Sequence, residues 1–311
     1  MSSRNLGRCW PVAGPVDKSA DRTAPLLIAL VGIASLIAAP GCDRTRGSGS
    51  PAASGPVRRV VTTTPSSTEI VAVAGGADRI VGVDRYSDYP PRIAGLPVVG
   101  DFMSPSVEAI LQLRPDLVVL DKVQSRTAAA LAGGGVRTLV LDVQTVGDVL
   151  AGISAAGRAL GTEPAAAAAR AALEAEIAAV RAAGSKRPRR VRALLLVDRE
   201  LGGLRGLVAA GPGSYLDELV AVVGADNVLS GSRTRYPNIA PETVIEAAPE
   251  VILDAVYTKD PSGAVRDWQA LAGVPAVAAG RVHPLAETFY RSPGPRVGLA
   301  LRGLEALLYP P

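Results

Sequence analysis

Cysteine is nearly absent: the 311 residues hold two, Cys9 and Cys42. A domain of this size therefore has no disulfide framework and must rely on its core. Histidine occurs once, as His283 in "GRVHPL", where it reads as a structural residue near a strand edge. A metal site needs several His, Cys or carboxylate groups together, and no such grouping is written here. The chain also lacks a G-x-x-x-x-G-K-[ST] phosphate loop and a G-x-S-x-G nucleophile elbow. These absences give no catalytic residue, no resident cofactor and no metal, and the expectation is a protein that is not an enzyme. Aromatic residues make up only 4% of the chain against 48% hydrophobic residues overall, which suits an aliphatic α/β protein. The net charge of +4 is small, and residues 1–41 supply half of it, through Arg4, Arg8, Lys18 and Arg22 against Asp17 and Asp21. That balance excludes a nucleic-acid reading.

What is present begins with an export signal. Basic residues precede "APLLIALVGIASLIAAPGC", an apolar run that ends in small residues and Cys42. The ending resembles a bacterial lipobox, in which the cysteine is lipidated and becomes the new N-terminus. The alternative is an uncleaved anchor helix, since about 17 apolar residues is the lower limit for crossing a bilayer. Either places the rest of the chain in the periplasm or on the outer face of the cytoplasmic membrane. Residues 1–41 are thus expected to be a signal peptide. Residues 42–57, rich in Gly, Ser and Pro, are expected to form a tether.

From residue 58 strands alternate with helices, the pattern of α/β layers around a mostly parallel sheet. Strands are expected at 58–64, 79–83, 116–120, 137–142 and 189–198. Helices are expected from 65, from 105, around 125–133 and over 146–160. Ser66 with Glu69, and Ser214 with Asp217, have the spacing of helix caps. "EPAAAAARAALEAEIAAVRAAG" (163–184) is about 20 residues of strong helix formers, long enough at 1.5 Å per residue to span roughly 30 Å.

After that helix the pattern restarts. "SPSVEAILQLRPDLVVL" (104–120) recurs as "NIAPETVIEAAPEVIL" (238–253), with Glu108 matching Glu242 and Pro115 matching Pro249, 134 residues apart (242 − 108, 249 − 115). Gly-Ala-Asp triplets at 76–78 and 224–226 are 148 apart, and the difference falls in the longer loop of the first copy. Two copies, not many, imply a duplicated lobe rather than a solenoid. The expected fold is two similar Rossmann-like lobes, 58–162 and 185–311, joined by the rigid helix 163–184, with a cleft between them.

Six aromatics fall in expected loops: Tyr86, Tyr89, Phe102, Tyr236, Phe289 and Tyr290. Aromatics in loops at strand ends read as a binding surface. Phe102 and Tyr236 each stand six residues before a first-turn glutamate (108 − 102, 242 − 236). A lone glutamate there is accounted for by the helix dipole, worth about 0.3–1 kcal/mol. Its recurrence suggests instead two exposed carboxylates, one per lobe, suited to arginines on a partner. They would lie on different lobes, which argues against an acid–base pair.

In these motifs the chain from 58 to 311 resembles the periplasmic binding proteins of ABC importers for vitamin B12, ferric siderophores or haem. "PSSTEI", "VGVDRYSDYPP", "LPVVG", the repeat and the Ala-rich helix fall in that family's order. The resemblance implies a transported ligand in the cleft, and a monomer that delivers it to an ABC permease dimer with ATPase subunits. It implies permease docking by Glu108 and Glu242, and a lipid on Cys42 that holds the chain to the membrane. "YSDYPP" is most similar to the cobalamin-binding branch, so Tyr86, Tyr89, Phe102, Tyr236, Phe289 and Tyr290 are expected to touch a corrinoid. Backbone amides near Ser66 and Ser214 would supply hydrogen bonds. A ferric siderophore would use Arg85 or Arg291, and haem would use Tyr86 or Tyr236. A surface lipoprotein acting as sensor or adaptor remains the alternative of another class.

Overall fold

The computed structural model describes residues 55–258 and 260–310; the signal segment, Cys42 and most of the tether lie outside them. The first lobe holds four strands, β1 (Val60–Thr62), β2 (Ile80–Gly82), β3 (Leu117–Asp121) and β4 (Arg137–Leu141), in the order β2-β1-β3-β4. All pairings are parallel. The central β3, Leu-Val-Val-Leu-Asp, is buried at all five positions. An uninterrupted apolar run of this kind marks a strand covered on both faces.

The second lobe holds β5 (Arg192–Asp198), β6 (Leu207–Ala209), β7 (Asp226–Asn227), β8 (Asn238–Ile239), β9 (Val251–Asp254) and β10 (Val282–Pro284). The order is β10-β9-β5-β6-β8, with β7 also on β5. Here the sheet is mixed. β10, β9, β5 and β7 run parallel, while β6 is antiparallel to β5 and β8 antiparallel to β6. The cause is an insertion not read from the sequence. Val60 pairs with Leu117 and Ala193 with Val251, so the first strands are 133 apart (193 − 60). The helices that follow start at caps Thr64 and Ser214, 150 apart (214 − 64). The extra residues turn back as β6, and the long first-lobe loop after β2 later restores the offset. The lobes thus differ by two insertions, not one. His283 lies on β10, an edge of this sheet.

The helices Ser125–Gly133, Val146–Leu160 and Glu163–Gly184 have the expected bounds. The first helix, Pro65–Val71, is capped differently. Thr64 accepts from the Ser67 amide, and the Ser67 hydroxyl accepts from the Thr64 amide, each at 3.1 Å. Ser66 and Glu69 form no capping box, and Glu69 is buried.

The repeat is structural as well as sequential. Ile110 and Val244, 134 apart, are both fully buried. Arg114 and Ala248, again 134 apart, are the positive-φ non-glycine residues among the described residues, at 46° and 42°. Each ends a helix in the left-handed conformation, and a proline follows that cannot continue it. The next residue is acidic and clamps the adjoining strand. The Arg58 and Arg59 amides donate to Asp116 Oδ2 at 2.8 and 2.9 Å. The Arg192 amide donates to Glu250 Oε2 at 3.0 Å and holds that carboxyl below the usual range.

One apolar cluster runs through both lobes and the long helix: Ile70 and Ile153, then Leu173 and Ile177, then Leu219 and Leu301. Close packing at the helix start depends on Gly157, where a Cβ would stand 2.4 Å from that of Ala166. Smaller clusters lie under the helix pairs on the outer faces.

A left-handed conformation costs a non-glycine residue about 1–2 kcal/mol. Ala248→Gly is therefore expected to stabilise the protein by about 1 kcal/mol, read as a higher urea midpoint by circular dichroism. Ala248→Val, β-branched at the same φ, is expected to lower it.

Candidate ligand-binding cleft

Parallel strands direct their carboxyl ends, and the loops that follow, to one side of a sheet, and ligands of open α/β sheets bind there. In this chain both sheets offer such ends to one cavity of about 670 Å³. Thr64 follows β1, Asp121 ends β3, and Gln144 lies just beyond β4. From the other lobe come Tyr257, after β9, and Thr288, after β10. The volume falls in the range of about 300–1,000 Å³ usual for small-molecule sites.

The aromatic walls are held by local bonds. Asp84, almost wholly buried, accepts from the Tyr86 amide at 2.9 Å and from the Ser87 hydroxyl. Burial pushes its carboxyl up, against these bonds. Thr68 Oγ1 meets Ser87 Oγ at 2.8 Å, so the Tyr86 loop is pinned to the first helix. Phe102 is placed by buried Gln124, whose Nε2 donates to the Phe102 carbonyl at 2.8 Å. Gln124 Oε1 accepts from the Asp121 amide at 3.0 Å and from Thr63 Oγ1 at 2.5 Å. Tyr236 faces the same cavity from the second lobe, and burial pushes its phenol up.

Arg291 lines the cavity beside Tyr257, its guanidinium 5.0 Å from the ring centre. Its Nη2 donates to the Ala286 carbonyl at 3.3 Å, but its Nε is buried without a partner among the described residues. Burial holds the guanidinium below the usual arginine value.

Of the ten residues that the sequence nominated for ligand contact, Ser66, Arg85, Tyr86, Phe102, Tyr236 and Arg291 line this cavity. Tyr290 is buried and borders a small adjoining pocket of about 60 Å³ with Ser214 and Tyr236. Tyr89 and Phe289 lie elsewhere, with the Arg296 guanidinium 4.7 Å from one ring centre and 5.4 Å from the other. Glu108 and Glu242 are exposed on outer helix turns, away from the cavity. Tyr257 escaped the sequence reading, although its place just after the β9 run marks it as a strand-end residue.

Arg296 ties the lobes together behind the cleft. Its Nε and Nη2 donate to Glu69 Oε1 at 3.0 and 2.6 Å, and Nη2 reaches Asp88 at 3.1 Å. Thr288 Oγ1 donates to the other Asp88 oxygen at 2.6 Å. Burial pushes the Glu69 carboxyl up, which the hydrogen bond and charge of Arg296 only partly offset. Burial alone would lower Arg296, but its carboxylate partners carry it above the usual value. Glu69 Oε2 has no partner among the described residues, and Gly294 packs beside it, where a Cβ would stand only 2.9 Å away. A second tie runs from the Val146 amide to Glu218 Oε2 at 2.7 Å, a carboxylate at a helix N-terminus. The hollow beside it, of about 770 Å³, is lined by helix side chains and has no strand end on its wall. Among the described residues no group of three His, Cys, Asp or Glu side chains could hold a metal ion.

Two lobes with a strand-end cleft, joined by one helix, define a binding protein of the periplasmic type. The chain belongs to the periplasmic binding protein family, whose model matches residues 60–287. It is similar to the vitamin B12-binding protein of Salmonella choleraesuis, 28% identical over 251 residues, 79% of this chain and 88% of that one. Among solved structures it is similar to the periplasmic heme-binding protein RhuT from Roseiflexus sp. RS-1 in apo form. That match has 29% identity and a TM-score of 0.73, covering 82% of this chain and 98% of the other. The vitamin B12-binding protein BtuF of Vibrio cholerae shares the fold at 24% identity and a TM-score of 0.68, covering 81% of this chain and 97% of that one.

Removing one partner of a buried pair leaves an uncompensated charge, at about 3–5 kcal/mol. Arg296→Met is expected to destabilise the protein by that amount in urea unfolding. The double variant Glu69→Leu with Arg296→Met is expected to recover most of the loss. Equal losses in both variants would show that the pair is not the tie.

Proposed function

We propose that this chain is the substrate-binding component of an ABC importer, which takes a corrinoid in its cleft and delivers it to a permease dimer with ATPase subunits. The observation that carries the reading is the pair Phe102 and Tyr236. They hold equivalent places in the repeat and line one cavity from opposite lobes. Flat aromatic walls suit a large ring ligand held by apolar contact. The B12-binding names of the curated relatives support the corrinoid. Residues 42–57 would act as the tether from a lipid on Cys42 outside the cytoplasmic membrane, with the lobes at 58–162 and 185–311. The protein would work as a monomer and would not be an enzyme. Glu108 and Glu242 are the docking carboxylates in this reading: both are exposed, and neither forms an ion pair among the described residues.

Haem is the second reading, favoured by the heme-binding neighbour and by Tyr86, Tyr236 and Tyr257 on the wall. Arg291, whose Nε has no partner among the described residues, would suit the anionic edge of a porphyrin or a ferric chelate.

Titration calorimetry of the 43–311 chain with cyanocobalamin, with red co-elution on a sizing column, tests the reading. One-to-one binding is expected. Tyr236→Ala and Phe102→Ala are each expected to weaken it about ten- to a hundredfold, the equivalent of about 1.5–3 kcal/mol for a buried aromatic side chain. No heat with cyanocobalamin, together with a Soret shift on adding hemin, would overturn the corrinoid reading in favour of haem.

A further inference from the structure

The repeat marks more than a carboxylate on each lobe. Leu111 and Ile245 are 134 residues apart (245 − 111), each three positions after its glutamate. Both are among the exposed large apolar residues, at 43% and 55%. A single exposed aliphatic residue needs no explanation. Two at one register position of two repeated helices, each on the turn after a carboxylate that forms no ion pair among the described residues, are harder to attribute to chance. Helical geometry puts residues i and i+3 on one face. Ile110 and Val244 fix that face by pointing inward, with no exposure in either helix. Both short helices therefore turn the same pair outward, an acid beside an aliphatic side chain.

We propose that each lobe docks through this acid–aliphatic pair. The partner would be a two-fold related pair of membrane subunits, each offering an arginine beside an apolar side chain. The proposal rests on the importer reading and adds to it the apolar half of the contact. The carboxylates meet the arginines and set encounter rate and register, while the aliphatic side chains exclude water around those charges and slow dissociation. Charge complementarity selects this occupant over a second copy of the chain, since two copies meeting through these faces would oppose carboxylate to carboxylate.

The test uses the purified permease–ATPase complex of the same organism in lipid nanodiscs, with binding kinetics followed at several salt concentrations. Leu111→Gln with Ile245→Gln keeps a good helix former at both exposed sites, and its thermal midpoint is expected to match the wild type. Its dissociation rate from the complex is expected to rise about tenfold or more with an unchanged salt dependence. Glu108→Gln with Glu242→Gln is expected to lower the association rate and flatten the salt dependence. Wild-type kinetics for the aliphatic variant, with the glutamate variant impaired, would overturn this proposal and leave the importer reading intact. If the wild type fails to bind the complex, or both variants bind like it, the docking reading falls and the proposal with it. Self-association of the wild type in sedimentation, lost on Leu111→Gln, would assign the face to a second copy and likewise overturn the proposal.

Discussion

The buried pair of Glu69 and Arg296 is the constraint on which the cleft depends. Two charges withdrawn from water cost several kcal/mol unless geometry and further bonds compensate. Here the compensation comes from both lobes. Glu69 belongs to the first helix, Arg296 to the segment before the last, and Asp88 to the cleft loop. Tyr89 and Phe289 cover the guanidinium. None of these groups can withdraw without exposing or orphaning another, so the pair fixes how the lobes meet. The apolar cluster along the connecting helix fixes the same relation from the other side. A single stiff helix and a continuous core resist the wide hinge closure of binding proteins joined by flexible strands. The cleft is therefore largely preformed.

Duplication accounts for how such a cleft arises. Each copy contributes a helix that ends in a left-handed residue, a proline that stops it, and an acid that clamps the neighbouring strand. This is a local device for turning the chain back into the sheet, and it recurs in both lobes, with two strand amides on the acid in the first and one in the second. Because both sheets direct strand ends to the same cavity, the loops after those strands were free to diverge. The first lobe lengthened the loop that carries Tyr86 and Asp88. The second inserted β6. The walls of the site therefore differ while the frame beneath them repeats.

Much of the frame was legible in residues 58–310. The helices over 125–133, 146–160 and 163–184 are Ala-rich, the last with Glu and Arg added, and carry boundary signals at their ends. The strands are short β-branched or Leu-rich runs, and the 134-residue offset announced the second lobe. The cap at Thr64 was misread because Ser66-x-x-Glu69 has the right spacing two residues downstream. The chain resolved the choice by burying Glu69 against Arg296, 227 residues away, and nothing local records that. The antiparallel β6 was missed because three residues between turns carry too little pattern.

The cleft divides the same way. The sequence by itself determined two α/β lobes and a rigid connector. It also gave a short list of loop aromatics, because these follow from composition, periodicity and repetition, all local or additive along the chain. Only the tertiary structure decided which of those residues share a wall. It set Tyr86, Phe102, Tyr236 and Arg291 around one cavity with the unforeseen Tyr257. It turned Tyr89 and Phe289 to the buried arginine instead. Which face an aromatic presents depends on partners hundreds of residues distant, and that information exists only once the lobes have packed.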